Sequence, residues 1–306
     1  MDILAERRPA AAPARGARHV VAAAAVAVIA ALLAACSGAP APGPSPQPPV
    51  KASPNGAPPR PGPAWLLTRW ALSRLLADSV VREVLRNSQV YEILQPGQEP
   101  LQGTAAKLIV IAGSARELAD AVTGGGLPAG TYGLLYDPEA WSFTPSAEQR
   151  EPVQAATRAA AVAHAHGLRL IVAPALDLAG ALAPGRRGPR WQTFLDLGLI
   201  GQLARVADVI ELQAQSLERD TATYTAFVRA AASQARQANP RIAVVAGLST
   251  NPPGPPVDSR HLTSAMRATR SVVAGFWINI PGPGSRCPGC GAPRPDIAIQ
   301  VLRELG

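Results

Sequence analysis

From residue 107 onward the chain keeps one rhythm: a short apolar run, then a stretch with helical spacing, repeated through six strand-then-helix units. "KLIVIAG" precedes "SARELADAV", where Ser114 and Glu117 have the spacing of a capping box. "TYGLLYDPEAW" precedes a helical stretch opened by Thr144 and Pro145 and stopped by Gly167. "LRLIVAPALD", "DVIELQAQS", "RIAVVAGLST" and "VAGFWINIP" each lead into a further helix in the same way. Strands that alternate with helices are predicted to lie parallel, each return made through a helical crossover. "VYEIL" (90–94) is a candidate seventh strand. "WLLTRWALSRLLADSVVREVLRNS" before it carries Trp65, Trp70, Leu72 and Leu76 near helical spacing and reads as a packing helix. Its tryptophans would alternatively suit a helix lying on a membrane.

Two α/β architectures fit this order: a (β/α) barrel of the TIM-barrel type, by this count with fewer than eight complete units, and an open doubly wound sheet. The loop after the first clear strand, "IAGSARE", lacks the G-x-G-x-x-G spacing of a phosphate-binding sheet. Polar and aromatic residues instead gather at the C-terminal end of nearly every strand. They are Tyr136, Asp137, Glu139 and Trp141; then Asp177; then Gln213 and Gln215; then Asn251; then Trp277 and Asn279. Barrel sites are built at that rim, so the barrel is the favoured expectation.

The fourth of these stretches, "DVIELQAQ", departs from the common pattern. Side chains alternate along a strand, so Val209, Glu211, Gln213 and Gln215 share one face and Ile210, Leu212 and Ala214 the other. The apolar face suits a helix layer. The polar face is then expected to point into the barrel and floor a polar pocket, because burying a carboxylate and two amides without partners costs several kcal/mol.

The N-terminus reads separately. Arg7, Arg8, Arg15 and Arg18 precede the apolar run "VVAAAAVAVIAALLAAC", the layout of an export signal over residues 1–35. Leu33-Ala34-Ala35-Cys36 resembles the bacterial lipobox, which implies lipidation of Cys36 and anchoring to the cell membrane from outside the cytoplasm. An uncleaved anchor is the alternative. Residues 36–63 are then a proline-rich tether, since proline fixes φ and offers no N–H, and residues 64–306 are the barrel domain.

A formal charge of +8 and a pI near 10.2 permit attraction to anionic envelope surfaces. Nucleic acid is not an expected partner: the arginines are scattered, aromatics are only 4%, and no nucleic-acid motif occurs. No metal or cofactor is expected. His164 and His166, two residues apart, would project from different faces of a helix end. "CPGC", with Cys287 and Cys290, is half a zinc site, and in an exported chain the plain expectation is a local disulfide.

The spacing D-x-x-E-x-Q-x-Q of Asp208, Glu211, Gln213 and Gln215 resembles the D-x-x-D-x-D-x-E that family 18 glycoside hydrolases, the chitinase-like barrels, carry on their fourth strand. Counting from "KLIVIAG", this is also the fourth strand. The resemblance implies that Gln213 stands where the family has an assisting Asp, and Gln215 where it has the Glu that protonates the leaving oxygen. An amide cannot donate that proton. "YDPEAW", "ELQAQSLERD" and "LSTNPP" also resemble stretches of a family of exported actinobacterial lipoproteins, a likeness that implies no activity.

Three readings stay open. In the first, Glu211 and Asp137 are the paired carboxylates of a glycan-cleaving enzyme, with Tyr136, Glu139, Trp141, Gln213, Gln215, Asn251, Trp277 and Asn279 binding the sugar. In the second, the same residues bind a cell-envelope glycan without cleaving it. In the third, the domain is a structural or partner-binding envelope protein whose partners the sequence does not name.

Overall fold

The computed structural model describes residues 62–284 and 286–305. The expected export signal, Cys36 and nearly all of the tether lie outside the described residues. Eight parallel strands close into a barrel in sequence order. They are β1 (Ala64–Thr68), β2 (Val90–Leu94), β3 (Lys107–Ala112), β4 (Thr131–Tyr136), β5 (Arg169–Val172), β6 (Val209–Leu212), β7 (Ala243–Ser249) and β8 (Gly275–Asn279). The barrel closes where β1 pairs with β8, Leu66 beside Trp277. The helices between strands are α1 (Arg69–Leu75), α2 (Ser79–Arg86), α3 (Ala115–Thr123), α4 (Ser146–Arg150), α5 (Pro152–Ala165), α6 (Leu178–Leu182), α7 (Arg190–Asp196), α8 (Leu199–Ala204), α9 (Thr221–Ala238), α10 (Ser259–Thr269) and α11 (Pro295–Leu305).

The count of fewer than eight units is therefore corrected to eight. The missing strand is β1, inside the stretch read as one continuous helix. Its residues are buried on both faces: Trp65 and Leu67 pack in the outer core and Leu66 in the inner one. A strand covered on both sides shows an unbroken apolar run, which periodicity cannot tell from the start of a helix. The break is local. Thr68 accepts the Ala71 N–H at 3.3 Å and caps α1, so the helix begins only at Arg69. With β1 and β2 in place, "DVIEL" moves from fourth to sixth, and "TYGLLY" becomes the fourth strand.

Two cores hold the barrel. The outer one lies between strands and helices and takes the alternate residues Leu134, Leu170, Ile210, Leu212, Val244 and Phe276 with the apolar faces of the helices. The alanine-rich face of α5 (Ala155, Ala156, Ala159, Ala163) lets that helix sit close to the sheet. The inner core is small: Leu66, Ile93, Ile109, Ile111, Leu135, Ile171, Ala173, Val245 and Trp277 fill the barrel axis. On β6, Val209 packs inward and Ile210 and Leu212 outward, the alternation the sequence predicts.

Candidate active site

The C-terminal mouth of the barrel opens into a cleft of about 840 Å³. Asp137 and Glu139 enter it from the loop after β4, Asp177 from the start of α6, Gln213 and Gln215 from the end of β6, and Trp277 and Asn279 from β8. Asn251 and Trp141 also line it. The parity of β4 explains the first pair: Leu135 packs on the barrel axis, so Asp137 falls on the same inward side.

The same parity corrects the expectation for Tyr136. It is fully buried in the outer core, and its hydroxyl donates to Glu148 at 2.9 Å. Glu148 also accepts the Ala115 N–H at the start of α3. Burial, then the Glu148 charge, raises the Tyr136 hydroxyl far above its ordinary range. Tyr136 ties strand to helix and does not line the cleft.

Gln213 is the hub of the floor. Its Nε2 donates to Asp137 Oδ1 at 2.6 Å, to the Ala173 carbonyl at 2.9 Å and, more loosely, to Glu139 Oε1 at 3.4 Å. One amide nitrogen thus spans both carboxylates. Burial pushes the Asp137 carboxyl well above the usual range, the Glu139 charge adding to it. Burial and the Asp177 charge push Glu139 up to about 7. Neighbouring carboxylates in so dry a place do not both ionise, and the pair keeps a proton at neutral pH.

Glu211 faces inward, as its strand position predicts, but it is fully buried beneath the cleft and does not line it. Neither carboxylate oxygen has a hydrogen-bond partner among the described residues. Burial, then Asp137, then Glu139 raise its pKa well above the ordinary value, so it is held protonated. Gly247 on β7 leaves it room: a Cβ there would stand 2.5 Å from Glu211 Oε1 and 2.7 Å from Gln215 Nε2. The residue after Gln215, Ser216, is the one non-glycine with positive φ (81°) among the described residues. Its carbonyl is held by Arg219, whose guanidinium also takes the carbonyls of Pro252 and Pro253. Strain of this kind needs a framework that enforces it, and here Arg219 fastens the β6 end to the loop after β7.

The chain has five tryptophans, and four of them, Trp70, Trp141, Trp191 and Trp277, line this cleft. Trp277 is 5% exposed, and its Nε1 is unpartnered among the described residues. Trp70 is 39% exposed. Trp141 donates to Thr144 Oγ1 at 2.9 Å and meets Phe143 edge-on. Sequence reasoning did not place Trp70 or Trp191 at the site. Trp70 stands two residues beyond β1, so the hidden strand concealed its rim position. Arg286 was missed as well: its guanidinium lies over Phe143 at 4.8 Å and Trp141 at 5.6 Å. It belongs to the loop after β8 that carries the Cys287–Cys290 disulfide, which forms as the sequence predicts.

No protein-family model matches the chain, and the search of curated proteins returns no match either. Among solved structures, a curdlan-specific exo-beta-1,3-glucanase of GH128 subgroup III from Blastomyces gilchristii is 12% identical over 80% of this chain and 99% of its own, with a TM-score of 0.49. A chitinase from Chromobacterium violaceum is 12% identical over 71% and 93%, with a TM-score of 0.39. Triosephosphate isomerase from Bartonella henselae is 15% identical over 71% and 92%, with a TM-score of 0.36. Likeness this distant, spread over glycan-cleaving enzymes and an isomerase alike, assigns no chemistry to this chain. The barrel rests on its own strand pairing, and the function on its own cleft.

Proposed function

We propose that the mouth of the barrel binds and hydrolyses a glycan, with Glu139 as the proton donor and Asp137 as its assisting carboxylate. The observation that carries this reading is the end of the true fourth strand. Asp137-Pro138-Glu139 there has the D-x-E spacing that ends the fourth-strand motif of chitinase-like barrels, in a cleft lined by four tryptophans. The chemistry follows from the geometry. Glu139 reaches the cleft and gives its proton to the glycosidic oxygen as the bond to the sugar carbon breaks. It recovers a proton from the water that completes hydrolysis. Asp137, clamped by Gln213 and raised by burial, shares the pair's proton with Glu139 and keeps it at the cleft. Gln213 no longer argues for a site that only binds, because its amide N–H is spent on the protein's own carboxylates.

Flat indole faces suit the apolar faces of sugar rings. Trp277→Ala in the full-length chain is expected to weaken oligosaccharide binding by about tenfold, roughly 1.4 kcal/mol. A hydrolysis and binding screen over envelope polysaccharides checks this. Neither binding nor turnover with any of them would remove both glycan readings and leave the structural one.

The location belongs to the same proposal. Leu33-Ala34-Ala35-Cys36 supports an extracytoplasmic lipoprotein, its barrel held off the cell membrane by residues 36–63. Cys36→Ser should release the domain from the membrane fraction or leave an unprocessed precursor. Mass spectrometry of the native protein showing an unmodified Cys36 would count against the anchor.

A further inference from the structure

Hydrolysis needs two carboxylates, and the mouth carries more than two. Asp177 lines the cleft beside Asp137 and Glu139, close enough for its charge to act on both. Its Oδ1 accepts the Ala140 N–H at 2.9 Å, which fixes the side chain against the loop carrying Glu139. Its Oδ2 has no hydrogen bond or ion pair among the described residues. Glu211, fully buried on the inward face below, adds a carboxyl with neither oxygen partnered.

Several acids elsewhere are paired, although the buried Glu92 and Glu218 have no ion-pair partner among the described residues. The formal charge is +8, with 29 Lys and Arg against 21 Asp and Glu. Away from the mouth, Asp78 pairs with Arg303, Asp208 with Arg169 at 2.8 Å and Asp258 with Arg260 at 3.4 Å. Among the described residues, none of Asp137, Glu139, Asp177 or Glu211 has an ion-pair partner, although arginine is plentiful. The two arginines that line the cleft, Arg190 and Arg286, make no salt bridge to them, and Arg286 is held over the Trp141 and Phe143 rings instead. These carboxylates are not disposed as metal ligands: no group of three or more acidic, His or Cys side chains among the described residues could hold a metal ion. What fits is a cation carried on a larger ligand, which brings its own N–H donors and a flat face for the tryptophans.

We propose that the cleft selects a glycan bearing free, protonated amino groups, and that Asp177 is the specificity residue that receives the ammonium. The inference rests on the glycan reading above and names its substrate class. The amine donates to Asp177 Oδ2 while the sugar ring lies against the tryptophans. Asp137 and Glu139 lie alongside at the bond to be cleaved. General attraction does not explain such a preference, because a chain of net charge +8 repels cations overall.

The test is calorimetric titration of the full-length protein with three matched oligosaccharides: glucosamine oligomers, the same oligomers fully N-acetylated, and neutral glucose oligomers. The glucosamine oligomers are expected to bind about tenfold more tightly than either of the others, the size of one charge-assisted hydrogen bond. Asp177→Asn should remove that preference, since an amide still accepts the Ala140 N–H but has no charge. Arg286→Ala, which removes a like charge, should tighten glucosamine binding more than binding of the neutral oligomers. Equal binding of all three oligomers, or a preference that survives Asp177→Asn, would overturn the inference and leave the glycan reading intact. Binding of none would overturn both.

Discussion

Glu139→Gln is expected to lower glycan hydrolysis by roughly 10²- to 10⁴-fold while the oligosaccharide still binds. Glutamine keeps the shape and one acceptor oxygen, so Gln213 and the surrounding loop need not move. What it loses is the proton. The pH profile gives an independent check. Burial and the Asp177 charge raise Glu139 to about 7. A group that acts as an acid works below its pKa, so kcat/KM should be high in mildly acid solution and fall as the pH rises through about 7. A profile that instead rises through that range would mean that the carboxylate acts only as a base. A Glu139→Gln variant of undiminished rate would remove Glu139 from the chemistry and leave the cleft as a binding surface.

Much of the barrel is legible in the sequence because β3 to β8 are each flanked by turn residues and followed by a helix, and the helices after β3, β6 and β7 carry side-chain caps. Ser114 before α3 and Asp258 before α10 are local signals that need no tertiary context. β1 is illegible for the opposite reason. Both of its faces are buried, and only the Thr68 cap separates it from α1. That omission, with β2 left outside the count, displaces the numbering of every later strand by two. It sets the chitinase-like spacing of "DVIELQAQ" on the fourth strand, whereas the strand is the sixth and the fourth ends in Asp137-Pro138-Glu139. Inward and outward faces are readable from alternation, which holds for Glu211. Depth is not: Glu211 stops below the floor because the Gly247 backbone, thirty-six positions on, leaves a space that its side chain fills. Tyr136 was misplaced because a polar aromatic at a strand end looks like rim, whereas its parity sends it to Glu148 in the helix layer.

Burying so many carboxyls also fixes how stability must depend on pH. Glu218, fully buried, accepts the Ser249 N–H with one oxygen at 3.0 Å and leaves the other unpartnered among the described residues. Burial raises it from 4.5 to about 7. Burial also raises Glu211 and Asp137 well above their ordinary values, and Glu92 is raised as well. For a carboxyl whose folded pKa lies above its unfolded one, the unfolded chain gives up its proton first. The stability such a group contributes is full below the unfolded pKa and is lost as the pH rises through the folded value. Glu218 alone should cost on the order of 3 kcal/mol once ionised. The opposite class is smaller in effect and acts elsewhere. Asp78, lowered chiefly by its hydrogen bond to Arg303, and Asp296, lowered by Arg294, stabilise above their unfolded pKa and lose that contribution only as the pH falls through their depressed folded values. The domain should therefore be most stable in mildly acid solution, near pH 4 to 5, and lose several kcal/mol by about pH 8. Denaturant unfolding across that range measures it. Glu218→Gln, which keeps an acceptor for Ser249, should flatten the fall by roughly 3 kcal/mol. A stability that is level or rising from about pH 5 to pH 8, or a slope unchanged in Glu218→Gln, would mean that these carboxyls find partners or water that their buried positions do not supply.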